Sequence, residues 1–155
     1  RVLDVNLTGS FVFMQAAIRA MIDAGVRGAV CATSSGAAFQ GRVGGGAYSA
    51  SKAGALMMAR VLAVEAGPYG IRVNSVAPGL VDHGYRDGLG DFVPAEYAER
   101  ARRLTPLAHE ATADDIVDAI EFLCSDRAAH ITGTSLRIDG GASVGQYGNA
   151  WSRED

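Results

Sequence analysis

The chain is 155 residues long, 48% hydrophobic and 20% charged, with a mean hydropathy of +0.11, a profile that suits one folded domain and excludes a disordered tail. Fourteen basic and seventeen acidic residues give a net charge of −3 without any block of like charge, which argues against nucleic acid or anionic lipid as a partner. No apolar run approaches the length of a membrane span and no signal peptide is evident, so the sequence reads as a soluble, cytoplasmic protein.

In chain order, Val2, Val5, Phe11, Met14, Ile18 and Met21 recur at helical spacing up to Ala24-Gly25, where Gly25 is the expected stop. Nothing in the opening residues caps this helix, which suggests that further chain precedes it. Gly28 to Ser35 is a short apolar run bounded by Gly and Ser, the pattern of a strand buried on both faces. Gly36 to Gly46 is a glycine-rich loop. Small and apolar residues then recur at helical spacing from Tyr48 to about Ala66, and Gly67-Pro68 is the predicted end. Ile71 to Ala77 reads as a second strand stopped by Pro78-Gly79. The long excursion from Leu80 to Pro106 contains a short predicted helix from about Pro94 to Leu104, and its length suggests a lid or binding loop. Thr112 followed by Asp114 and Asp115 is a cap with first-turn acids, opening a helix carried by Ile116, Val117, Ile120 and Leu123. Thr134 to Ile138 is a third strand, and Asp139-Gly140-Gly141 turns it into a tail.

Alternating buried strands and helices predict a parallel sheet with right-handed crossovers, an α/β layered fold. Three parallel strands alone would leave two apolar edges open. The chain is therefore expected to be part of a larger domain.

Cys31 and Cys124 each lie in an apolar stretch and are expected to be buried free thiols of a reducing compartment. His83, His109 and His130 fall at no metal-ligand spacing with one another or with the cysteines, so no metal site is expected. Asn6-Leu7-Thr8 matches a glycosylation sequon, taken as coincidence in the absence of secretion signals.

Thirteen of the fourteen basic residues are Arg, and the only Lys is Lys52. It lies four residues after Tyr48 at the start of a predicted helix, so the two share a face. In water a phenol ionises only near pH ~10, and a neighbouring ammonium favours the ionised form. The pair is thus a candidate proton donor and its tuner, and a compact ammonium serves a phenol and sugar hydroxyls better than a broad guanidinium fork. The bland reading is an exposed Lys and a packed Tyr at coincidental spacing. Ser34-Ser35 strengthens the functional one, because it lies at a predicted carboxyl end of a strand, where open α/β sheets bind ligands. A nucleophilic serine fits less well, since no Gly-x-Ser-x-Gly elbow is present. Gly41 to Gly46 lacks phosphate-loop spacing and reads as a flexible lead into the Tyr48 helix.

Ser35, twelve intervening residues, Tyr48-Ser-Ala-Ser-Lys52, then Arg72-Val-Asn-Ser-Val-Ala-Pro-Gly79 and Ile131 to Gly141 together resemble the short-chain dehydrogenase/reductase family in its simple single-domain branch. Asp4-Val-Asn6-Leu-Thr-Gly9 resembles the family segment that carries a catalytic asparagine. The resemblance covers nearly the whole chain in order. It implies a Rossmann-like, doubly wound parallel sheet, of which this chain supplies about three strands with flanking helices.

Residue by residue, the resemblance implies a tetrad of Asn6, Ser35, Tyr48 and Lys52 working with NAD or NADP. Tyr48 would exchange a proton with the substrate oxygen, and Ser35 would orient that oxygen. Lys52 would favour the ionised phenol and grip the nicotinamide ribose, and Asn6 would hold a water connecting Lys52 to solvent. Read without the family, Asn6 is a helix-interior polar residue bonding locally. Pro78, Gly79 and Val81 match the backbone that cradles the nicotinamide. His83 stands where the family often places Thr, and it either donates to the carboxamide or faces solvent in the substrate loop.

The glycine-rich dinucleotide loop of the family belongs before Asn6 and is not in these residues, so the chain is expected to be the catalytic C-terminal portion of one Rossmann-type domain. The expected activity is hydride transfer between a nicotinamide cofactor and an alcohol or carbonyl substrate. The rival expectation is a non-catalytic relative acting as an oligomerisation or binding module. The family commonly forms tetramers, and the face Ala50, Ala53, Leu56, Met57 suits close helix packing, though a core face has the same pattern. Tyr85, Phe92 and Tyr97 in the long loop suit a partly apolar substrate or simple loop packing.

Overall fold

The computed structural model describes residues 1–41, 43–82 and 95–145. Its core is a three-stranded parallel sheet of β1 (Gly28–Thr33), β2 (Ile71–Pro78) and β3 (Ser135–Ile138), ordered β1-β2-β3, with Gly28 opposite Ile71 and Ser75 opposite Ser135. A π-helical turn, Asp4–Gly9, runs directly into α1 (Ser10–Asp23), which ends as expected at Gly25 in the left-handed region. Helix α2 (Gly46–Ala66) continues into a 3-10 turn, Gly67–Tyr69. The α-helix thus ends at Gly67-Pro68 as expected, although Gly67 keeps helical angles and the chain reverses only at Gly70, φ +72°. Helix α3 (Ala95–Leu104) lies where a helix was expected, and α4 (Ala113–Cys124) opens on a capping box between Thr112 and Asp115.

Side chains alternate along β2. Ile71 and Val73 join Met14 and Ile18 of α1 and Leu62 and Ala63 of α2 in one apolar cluster. Arg72 points the other way and donates to Leu123 O at 2.6 Å and Ser125 O at 3.0 Å, at the carboxyl end of α4, where a cation complements the helix dipole. Helices α2 and α4 thus cover opposite faces. Because the strands step in one direction, the two crossovers have opposite hands, and the expectation that both are right-handed fails for one of them.

In the described sheet β2 has a neighbour on each side and is buried on both faces, as expected, whereas β1, with β2 as its one neighbour among the described residues, is half-buried. Cys31 is correspondingly half-buried and Cys124 is exposed at the end of α4, which corrects the expectation of two buried thiols. Burial, reinforced by Cys124 and opposed by a backbone hydrogen bond from Val76, pushes the Cys31 thiol up to about 11.

The helical stretch Asp4–Asp23 also corrects the membrane argument. It is 20 residues long and contains an 18-residue window with a mean hydropathy of 1.3, so by length and composition alone it is long and apolar enough to cross a bilayer. Asn6, Thr8, Ser10, Gln15 and Arg19 interrupt the run in sequence, which is why no continuous apolar segment marks it. The 11% of that window that is buried is Met14 and Ile18 on its inner side, which belong to the core.

The β2–β3 side is knit by buried polar groups. Asn74 Nδ2 donates to Ile131 O at 2.8 Å and its Oδ1 accepts from Thr134 N at 3.1 Å. Val73 N donates to Thr132 Oγ1 at 3.0 Å. Asp139 accepts from Gly141 N and Ser143 N at 3.0 and 3.1 Å, and from the Ser143 hydroxyl.

Candidate active site

The carboxyl end of β1 and the first turns of α2 meet through two hydrogen bonds, and a third holds the same loop on β2. Ser34 N donates to Val76 O at 2.8 Å, tying the loop after β1 to β2. Ser34 Oγ donates to Lys52 O at 3.1 Å, and Lys52 Nζ donates to Thr33 O at 3.1 Å. The Lys52 side chain therefore lies back over the end of β1, with Nζ 5.8 Å from the centroid of the Tyr48 ring, within reach of a cation–π contact. Tyr48 is 42% exposed.

The two adjacent serines do different jobs. Ser34 spends its hydroxyl hydrogen on the Lys52 carbonyl, which makes it a strut. Ser35 caps the 3-10 turn Gly36–Ala38 by accepting from Ala37 N at 3.2 Å, so its hydroxyl hydrogen is still available to a ligand oxygen. Neither Ser34 as a strut nor the Thr33 carbonyl as an anchor for Lys52 was anticipated. The structure gives Asn6 a long-range partner instead of a local one: it lies on the π-helical turn, and its Nδ2 reaches Ser51 Oγ at 3.4 Å.

Pro78 ends β2, and Gly79 N donates to Ile138 O at 2.9 Å. A Cβ on Gly79 would lie 2.8 Å from Asp139 Cα, so glycine is needed here for the close approach of the two strand ends. Beyond it, Ala111 N donates to Leu80 O at 3.0 Å and Asp82 N to Ala111 O at 2.8 Å, an isolated parallel bridge centred on Val81. In that pattern Val81's own N–H and C=O point away from Ala111. His83, Tyr85 and Phe92 lie outside the described residues. Tyr97 of α3 is 40% exposed.

A family profile described as enoyl-(acyl carrier protein) reductase matches residues 1–143. The chain is 36% identical over 141 residues to the (3R)-3-hydroxyacyl-CoA dehydrogenase of Homo sapiens, covering 91% of this chain and 52% of that protein. It is 38% identical over 145 residues to the L-rhamnose 1-dehydrogenase (NAD(P)(+)) of Azotobacter vinelandii, covering 93% and 56%. The crystal structure of a short chain dehydrogenase from Bacillus anthracis superposes with a TM-score of 0.78 at 33% identity, covering 94% of this chain and 55% of that one. The chain thus spans about half the length of the curated relatives it matches.

Proposed function

The chain belongs to the short-chain dehydrogenase/reductase family, and we propose that it is the catalytic portion of an NAD(P)-dependent oxidoreductase acting on an alcohol or carbonyl substrate. The observation that carries this reading is the layout around Lys52: one ammonium anchored on Thr33 O, beside the ring of a half-exposed Tyr48, with Ser35 keeping a hydrogen to donate.

The donor set fits the nicotinamide end of such a cofactor. Lys52 Nζ spends one of three hydrogens on Thr33 O and keeps two for the vicinal hydroxyls of a ribose. The Val81 N–H and C=O, turned away from Ala111, offer the acceptor and donor that a carboxamide needs, and Pro78-Gly79 bring that backbone to the end of β2. A bound nicotinamide supplies or accepts the hydride. The Ser35 hydroxyl hydrogen-bonds the substrate oxygen and fixes it near the Tyr48 hydroxyl. In the oxidative direction the substrate hydroxyl proton passes to Tyr48 as the substrate C–H hydrogen leaves with its electron pair. In the reductive direction Tyr48 returns the proton to the oxygen. The Lys52 charge stabilises the Tyr48 oxyanion, which takes up the proton in oxidation and is left behind in reduction. Asn6 connecting Lys52 to solvent through a water is part of the same proposal.

A homotetramer is the assembly proposed for the complete protein. Ala50, Ala53, Met57, Val61 and Val64 form an exposed stripe along α2, with Val64 78% exposed, and Phe13 of α1 is 73% exposed. Leu56, grouped with that face from the sequence, is buried at 7% and belongs to the core. Light scattering showing only monomer at assay concentration would contradict the assembly. A cytoplasmic setting is proposed on the two unpaired thiols, Cys31 and Cys124.

The test is Tyr48→Phe in the complete protein, assayed by nicotinamide absorbance with NAD+ or NADP+ and a panel of secondary alcohols. Loss of the proton donor lowers turnover by at least ~100-fold. Turnover within a few-fold of the parent protein would overturn the reading.

A further inference from the structure

We propose that Ser51 is a positioning residue that, together with Asn6, clamps the first turn of α2 and so fixes Tyr48. The proposal rests on the reading above, in which Tyr48 handles the proton. Helix α2 begins at Gly46 after a glycine-rich lead, and its cap residue Gly45 offers no side chain to the first N–H groups. The first N–H groups of the helix therefore have no side-chain acceptor from the cap, and Tyr48 is its third residue. What ties the turn down comes from elsewhere. Ser51 is fully buried, and its hydroxyl donates to the Tyr48 carbonyl at 2.6 Å while accepting from Asn6 Nδ2 at 3.4 Å. One hydroxyl thus joins the backbone of Tyr48 to Asn6, which lies 45 positions before Ser51 in sequence.

The packing beside this link keeps it in register. Leu7, the neighbour of Asn6 on the π-helical turn, lies so close to Gly54 that a Cβ there would be 2.6 Å from Leu7 Cδ1. Gly54 is one helical turn after Ser51. Two consecutive residues of the π-helical turn therefore meet two positions one turn apart on α2, and the absence of a side chain at Gly54 lets Asn6 reach Ser51. An α-helical turn in place of Asp4–Gly9 would rotate Asn6 off this line, because the π turn carries an additional residue per turn.

The experiment is a double-mutant cycle of Ser51→Ala and Asn6→Ala in the complete protein, with kcat, both KM values and Tm measured, and Tyr48→Phe run alongside. Ser51→Ala is expected to lower kcat about tenfold, as small misplacements of a reacting group do, with both KM values within twofold. Asn6→Ala, which cuts the same link from a half-buried position, is expected to lower kcat similarly, and the double variant to be no worse than the worse single one. Multiplicative losses in the double variant, or a fall in Tm with unchanged kcat per folded molecule, would overturn the clamp. Should Ser51→Ala not fold, Asn6→Ala with normal kcat overturns it equally. An inactive Tyr48→Phe beside a normal Ser51→Ala refutes the clamp alone, whereas an active Tyr48→Phe refutes the reading beneath it.

Discussion

Asn74, Arg72 and Asp139, on the β2–β3 side, have their polar atoms spent on partners within this chain, whereas Ser35, Tyr48 and Lys52, beside β1, keep hydrogens or surface unspent. Asn74 is bonded at both ends of its amide, Arg72 reaches carbonyls at the end of α4, and Asp139 takes three donors. Tyr48 is half-exposed, Lys52 Nζ has three hydrogens and gives one of them to Thr33 O, and Ser35 accepts from Ala37 N. A buried polar group fully paired is a frame, since removing it strands its partners. A polar group held on one side and open on the other can act on something that arrives. The comparison therefore separates two sets of motif residues that look alike in the sequence.

The largest effect expected of the frame is at Asn74. Asn74→Ala leaves Thr134 N without its partner in the interior and Ile131 O with only the longer bond from Arg72 Nη1 at 3.4 Å, and costs about 3 kcal/mol, read as a lower midpoint in denaturant. Turnover per folded molecule should stay near that of the parent protein. A stable but inactive Asn74→Ala would break the division between frame and open site.

Lys52→Arg probes the open side. It keeps the charge but replaces a compact ammonium with a planar fork, so turnover should fall about tenfold, roughly 1.4 kcal/mol in barrier, with Tm unchanged. Normal turnover would return the single lysine of this arginine-using chain to an accident of composition.

The smallest effect is at the capping box of α4. Thr112→Ala removes the cap on Asp115 N and costs about 1 kcal/mol, measured by thermal unfolding. Thr112 N–H and Oγ1 both bond Asp115 and hold its carboxyl below the usual range. A depressed carboxylate stabilises above its unfolded value and loses that contribution as pH falls through its folded value. The difference between Thr112→Ala and the parent should therefore narrow as the solution is acidified, and a constant difference down to acid pH would contradict the pairing.

Much of this was legible from periodicity. Three strands, the capped α4 and the Tyr48–Lys52 face follow from local spacing, because helix and strand periods are short-range properties. What escaped was long-range. The half-burial of β1 depends on which strands flank it. The exposure of Cys124 depends on which side of α4 meets the sheet. At the site, the sequence named Ser35 and Asn6 but not their partners. Ser34 and Ser35 differ only in where each hydroxyl hydrogen goes. Ser51 had one available signal, its place three residues after Tyr48, where a serine hydroxyl can bond back along a helix.

The most direct test of the division is to measure Tm and turnover on the same two variants, Tyr48→Phe and Asn74→Ala, in the complete protein. The account predicts a crossed result: Tyr48→Phe loses turnover by at least ~100-fold at unchanged Tm, and Asn74→Ala loses Tm at unchanged turnover per folded molecule. Tyr48→Phe with near-normal turnover would contradict it.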